Sequence, residues 1–237
     1  MSDVPRFSGF PRDALLFFKA IEKNNNRDWF EAHKKNYQTS VLAPAEAFVS
    51  LLGPRLRKFS RDLSFDPRTN GTGSIKRIYR DVRFARDKSP YKTYLGILFW
   101  QGTRKAKKEN PGFLFHLDAD GGRVFAGLYG FPPDVLKVYR AALVDARLGR
   151  ELAVAMETIG KKRGYELGGP HYKRVRQGFD PDHPRAELLR HNNLYARSPR
   201  IPPGIVTSPK LLDACFKHCA AMAPVVTWLA KVQKRGA

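Results

Sequence analysis

Apolar residues recur every three to four positions along the first sixty residues, and the spacing then shifts toward the alternation of strands. Leu15, Phe18 and Ile21 share one helical face, so a first helix is predicted from about Pro11 to Lys23. Asn24, Asn25 and Asn26 interrupt it, and asparagine suits both the exit of one helix and the N-cap of the next. Trp29, Phe30, His33, Tyr37 and Val41 mark a second helix. A third begins at Pro44 and carries Phe48, Val49, Leu52, Leu56 and Phe59, with Pro54 as a kink or boundary. The polar, glycine-bearing stretch Asp66 to Ser74 reads as a loop. Strands are predicted at Ile75 to Phe84, Tyr94 to Gln101, Phe113 to Asp118 and Arg123 to Tyr129, the last two joined by an Asp120-Gly121-Gly122 hairpin.

The second half returns to helical spacing. Pro132-Pro133-Asp134 opens a helix to about Val144, and Arg147 to Gly160 forms another. Lys161 to His183 is a long run of turns and short extended pieces, Pro184 to Arg190 a short helix, and Leu194 to Ile201 an edge strand. Ser208-Pro209 caps a final helix to about Val232, with a kink expected at Pro224. Helices at both ends around sequential strands predict an α+β fold: a mainly antiparallel sheet with N-terminal and C-terminal helices packed against it, as one domain over residues 1–237.

Composition narrows the class. Apolar residues make up 42% and aromatics 12% of the 237 residues, enough for a sizeable core. The longest apolar stretch, Ala220 to Ala230, contains Pro224 and is far shorter than the ~20 residues of a membrane span. No membrane association is expected, and Met1 to Phe10 lacks the pattern of a secretory signal. Cys215 and Cys219, four apart on a helix, read as small core residues rather than a disulfide or zinc pair, which fits a reducing cytoplasm.

The formal net charge of +21 is unevenly spread. Residues 54–108 carry 16 Lys/Arg against 4 Asp/Glu, and residues 161–200 carry 10 against 4. A field of this sign concentrates anions, so phosphate-bearing ligands and nucleic acid are the natural partners. The competing reading is a solvated basic surface that serves solubility. Whether the two basic stretches form one surface is left open by the sequence.

The most information-rich segment runs from Arg80 to Lys92. Read as a strand and turn, it places Asp81 and Arg83 on one face and can converge arginine forks and lysine ammoniums on one anion. Arg80, Arg83, Lys88, Tyr91 and Lys92 are candidate ligand-binding residues, with Tyr129 after the hairpin and Arg27 at a helix start. Asp81 and Asp87 are candidate bases, as is His183 beside Asp180 and Asp182 in a long loop. The same charges also suit internal ion pairs that brace a turn. No metal-ligand spacing is present, so no metal site is predicted, and a cofactor is not indicated. The phosphate loop, the dinucleotide fingerprint and the nucleophile elbow are absent, which argues against common nucleotide hydrolases, Rossmann enzymes and α/β-hydrolases.

Arg80-Asp81-Val82-Arg83-Phe84 followed by Asp87-Lys88-Ser89-Pro90-Tyr91-Lys92 resembles the signature of a bacterial conserved-hypothetical family, domain of unknown function 2461. Asn26-Arg27-Asp28-Trp29-Phe30, Gly127-Leu128-Tyr129 and Gly178 to Pro184 resemble further motifs of that family. The resemblance spans about Phe7 to Leu229 and implies a single-domain bacterial protein with no established activity. Three functions stay in competition. The first is binding, or turnover, of a small phosphate- or carboxylate-bearing ligand around residues 80–92. The second is a nucleic-acid-binding module that uses Arg104, Lys105, Lys107, Lys108, Lys161 to Arg163, Arg174 and Arg176. The third is a structural or partner-binding role. Oligomeric state is not indicated.

Overall fold

The computed structural model describes residues 6–103, 107 and 109–236. Helix α1 spans Arg12–Lys23 and buries Leu15, Phe18 and Ile21, as its spacing predicts. Helix α2, Arg27–Asn36, is capped by the Asn26 side chain, which accepts from the Trp29 amide at 3.0 Å. A π-helical turn, Tyr37–Leu42, then joins it to α3, Ala43–Leu56, so the second and third predicted helices are continuous. Helix α3 ends two residues after Pro54, which therefore marks a boundary.

Six strands form one antiparallel sheet: β1 (Leu63–Ser64), β2 (Leu95–Gln101), β3 (Gly112–Asp118), β4 (Gly121–Leu128), β5 (Glu166–Pro170) and β6 (His191–Arg197), in the order β1-β2-β3-β4-β6-β5. Helices α4 (Pro133–Val144) and α5 (Ala146–Gly160) follow the hairpin, and the short α6 (Ala186–Leu189) and α7 (Pro203–Val206) flank β6. The long α8, Lys210–Gly236, continues across Pro224, whose ring is exposed. The α+β class is therefore as expected.

Two strand expectations are corrected. The segment from Ile75 to Phe84 is not a strand. Its backbone bonds switch partner, from β2 (Lys76 N–H to Gly96 C=O, 2.9 Å) to the residues after the turn (Arg80 N–H to Pro90 C=O, 2.8 Å; Lys92 N–H to Ile78 C=O, 2.7 Å), so only isolated bridges form. The strand placed at Leu194 to Ile201 begins earlier and is not an edge. It lies between β4 and β5 because Glu166–Pro170, hidden in a glycine-rich stretch, pairs outside it.

Alternation decides the layers. Ile97, Phe99, Phe113, Phe115, Val124, Ala126, Leu194 and Ala196 are buried, and α1, α3 and α8 contact these strands. Phe48 of α3 packs on Phe115 at 4.9 Å between ring centres, and Phe10 stacks on the same ring at 6.1 Å. Cys215 and Cys219 are unpaired and buried here, and burial pushes both thiols up. The intervening residues, among them Leu98, Leu114, Arg123, Phe125, Tyr195 and Arg197, are less buried and point to the opposite, helix-poor face.

Candidate functional site

On that opposite face lies a cleft of about 830 Å³, within the range of small-molecule sites. Leu98, Leu114 and Phe125 pair in register across β2, β3 and β4 and form part of its floor. The next row is Trp100, Gly112, Gly127, Tyr195 and Gly168. Glycine at 112 and 127 leaves no side chain there, which deepens the trough between the aromatic flanks. Gly127 is also required by the backbone. Its φ is +136°, and a Cβ would lie 2.1 Å from the Leu194 carbonyl oxygen. Tyr79 and Tyr129 line the cleft and are exposed.

One wall is the partner-switching segment 71–81 together with Lys92. Ser74, fully buried, fixes it: its N–H donates to the Asp66 carbonyl at 2.8 Å and its hydroxyl accepts from the Asp66 N–H at 3.0 Å. Lys76, Arg77, Lys92 and Lys107 bring four cations to the cleft. The Lys107 ammonium donates to the Thr72 and Gly73 carbonyls at 2.6 and 2.9 Å. The Lys92 ammonium donates to the Arg77 carbonyl and, among the described residues, has no carboxylate within ion-pair distance. Partial burial, then the charges of Lys76 and Arg77, lower its pKa below the ordinary lysine value.

Lys92 is held from behind by a contact the sequence pattern does not announce. The Asn25 carboxamide donates to the Tyr91 carbonyl at 2.9 Å and accepts from the Tyr91 N–H at 3.0 Å. Tyr91 itself is buried and stacks on Phe30 at 4.3 Å. The asparagine run between α1 and α2 is thus a cap at Asn26 and a clasp at Asn25.

Of the predicted site residues, the cleft gathers Lys92, Tyr129 and Asp81. The others lie elsewhere. Arg80 pairs with Asp87 at 2.5 Å and donates to the Ser89 carbonyl at 3.1 Å. Asp87 also accepts from the Ser89 hydroxyl and N–H, and these bonds with Arg80 hold its carboxyl far below the usual range. Arg83 grips Asp81 at 2.9 and 2.7 Å and keeps that carboxyl low, which leaves a weak base. Lys88 donates to the Val82 carbonyl at 3.1 Å rather than pairing with Asp87. Arg27 is an exposed first residue of α2, and Tyr91 is a core ring. The His183 Nδ1 accepts from the Arg185 N–H at 3.1 Å, outside the cleft. The motif therefore braces its own loop, and the cations that enter the cleft are mostly ones outside it, Lys76, Arg77 and Lys107. Their signal in the sequence was density of charge rather than spacing. Arg104, Lys105 and Lys108 lie outside the described residues.

Among the described residues, no three His, Cys, Asp or Glu side chains converge to hold a metal. Among the same residues no helix is long and apolar enough to cross a membrane. The curated proteins contain no match to this chain. A family model does match, over residues 13–228, and the chain belongs to the family it describes, conserved hypothetical protein DUF2461.

Proposed function

We propose that the protein binds a small anionic, phosphate- or carboxylate-bearing ligand in the cleft on the helix-poor face of the sheet. The observation that carries this reading is the partly buried Lys92 ammonium, which lies beside Lys76 and Arg77 and itself has no carboxylate in ion-pair reach among the described residues. An excess of half-desolvated positive charge lowers stability, and a bound anion repays it. Phe125, Tyr195 and Tyr129 offer apolar and stacking surface to the body of the ligand. Binding is favoured over turnover because Asp81, the carboxylate in the lining, is occupied by Arg83. The unpaired thiols accord with a cytoplasmic setting.

Calorimetric titration with phosphorylated sugars tests the reading. Wild type should bind, and Lys92→Met should weaken the affinity at least tenfold while leaving the fold intact. Affinity should also fade below the ordinary lysine pKa of 10.5 as pH rises, because Lys92 loses its proton early. Wild type that binds no phosphorylated or carboxylated probe at millimolar concentration would refute it.

A second reading is single-stranded nucleic acid. Phe84 is 96% exposed with the Arg83 guanidinium 5.8 Å from its ring centre, and Tyr129 is 81% exposed beside the Tyr195 ring, as a base-stacking platform requires. Micromolar binding of oligonucleotides that collapses with salt would favour it over a small ligand.

A further inference from the structure

Beyond Phe125, on the same sheet face, Arg123 is a charge with no ion-pair partner among the described residues. Its Nε is buried with no hydrogen-bond acceptor, and among the described residues no carboxylate lies within 4 Å of its guanidinium. The two nearest carboxylates are already taken. Arg200 grips Asp118 at 2.6 and 3.2 Å, and Arg197 pairs with Glu166. His116 stands opposite Arg123 in register, with the Tyr94 ring 4.3 Å from its own. Burial lowers the pKa of His116, so it brings no negative charge and little positive charge at neutral pH. Burial first, then Arg197 and Arg200, lower the pKa of Arg123, and the weaker opposing pull of Glu166 and Asp118 does not offset them. A guanidinium kept beside two arginines, while Asp118 and Glu166 give their ion pairs to those arginines, is poor design for stability and good design for an anion.

Its place relative to the cleft gives the ligand a shape. Arg123, Phe125 and Gly127 alternate along one face of β4, so Arg123, outside the cleft lining itself, stands next to Phe125 at the edge of its floor. The methylenes of Lys76 lie over Gly96, because a Cβ there would meet them at 3.3 Å. Gly96, His116 and Arg123 form one cross-strand row, so the two cations are anchored two strands apart, about 10 Å. We infer that Arg123 is a second anion position, and that the ligand carries two anionic groups, one at Lys92 and Lys76 and one at Arg123, on either side of a sugar-sized body. This rests on the proposed cleft and extends it.

The test uses fructose 6-phosphate, fructose 1,6-bisphosphate and a twelve-residue oligothymidylate as probes, with wild type, Arg123→Met and Lys92→Met. The bisphosphate should bind wild type at least tenfold tighter than the monophosphate. Arg123→Met should erase that preference without weakening the monophosphate, and Lys92→Met should weaken both. Without any anion, Arg123→Met should melt at or above the wild-type temperature, because it removes a guanidinium whose buried Nε has no acceptor and which arginines crowd. If Arg123→Met melts lower or keeps the preference, Arg123 is structural and the inference fails while the cleft reading stands. If no phosphorylated probe binds wild type, both fail. An oligothymidylate that binds tighter than the bisphosphate and depends on Arg123 would keep the two positions and assign them to successive backbone phosphates.

Discussion

Asn25→Ala removes two hydrogen bonds at once, and its effect can be worked from the structure. The carboxamide satisfies both backbone groups of Tyr91, at 2.9 and 3.0 Å, across a separation of 66 residues. No neighbouring strand stands ready to replace it. Each intramolecular hydrogen bond contributes about 0.5–1.5 kcal/mol net. The loss should therefore be about 1–3 kcal/mol, with the Tyr91 N–H and C=O left partly buried and unpaired. At about 2–4 °C per kcal/mol for a chain of this size, the melting temperature should fall by about 4–8 °C at the middle of that range. Urea unfolding followed by fluorescence should show the midpoint shift with the slope unchanged, since the surface exposed on unfolding is the same. Asn25→Asp should not rescue, because a carboxylate oxygen would face the Tyr91 carbonyl. Lys92 follows Tyr91 directly, so binding of a phosphorylated probe should weaken as well. A stability change under about 0.5 kcal/mol, the scale of a featureless surface substitution, would refute the clasp.

Gly127→Ala forces a side chain into a left-handed conformation and against the Leu194 carbonyl, so it should cost about 1–3 kcal/mol of backbone strain and loosen the pairing of β4 with β6. Wild-type thermal unfolding of this variant would contradict the geometry. Arg83→Ala removes an exposed ion pair, with side chains 76% and 63% exposed, and should fold and melt like wild type. Unfolding of that variant would instead favour a structural role for the pair. His116, His191 and His218 all have pKa values lowered from 6.5 by burial. Below about pH 6.5 the unfolded chain takes up their protons before the folded one, so stability is complete above that pH and declines as pH falls. A melting temperature constant from pH 7.5 to 5 would count against it.

Much of the architecture was legible in the chain. The periodicity of Leu15, Phe18 and Ile21 and the alternation in Phe113 to Tyr129 mark core faces directly, because burial of one face is a local demand on spacing. The hairpin at Asp120-Gly121 is likewise local. The failures share a cause. Residues 75–84 carry strand-like side chains, but their backbone partners come from two different segments, and no window of sequence encodes a change of partner. Glu166–Pro170 is a strand because β6 offers an edge, not because Glu-Leu-Gly-Gly-Pro favours one.

The candidate site divides along the same line. The sequence by itself determined the excess of positive charge, its concentration in residues 54–108 and 161–200, and the motif from Arg80 to Lys92. It also determined that Asp81, Arg83 and Asp87 have partners within a few residues, which is why they pair locally and leave the cleft to others. Tertiary structure alone decided which charges meet. Lys76 from the first basic stretch and Arg197 and Arg200 from the second meet on one sheet face, flanking Arg123, because strands distant in sequence lie side by side at about 4.8 Å. Pairing is a property of distance in space, so the lack of an ion pair at Lys92 or Arg123 among the described residues becomes visible only when the carboxylates around them have been placed.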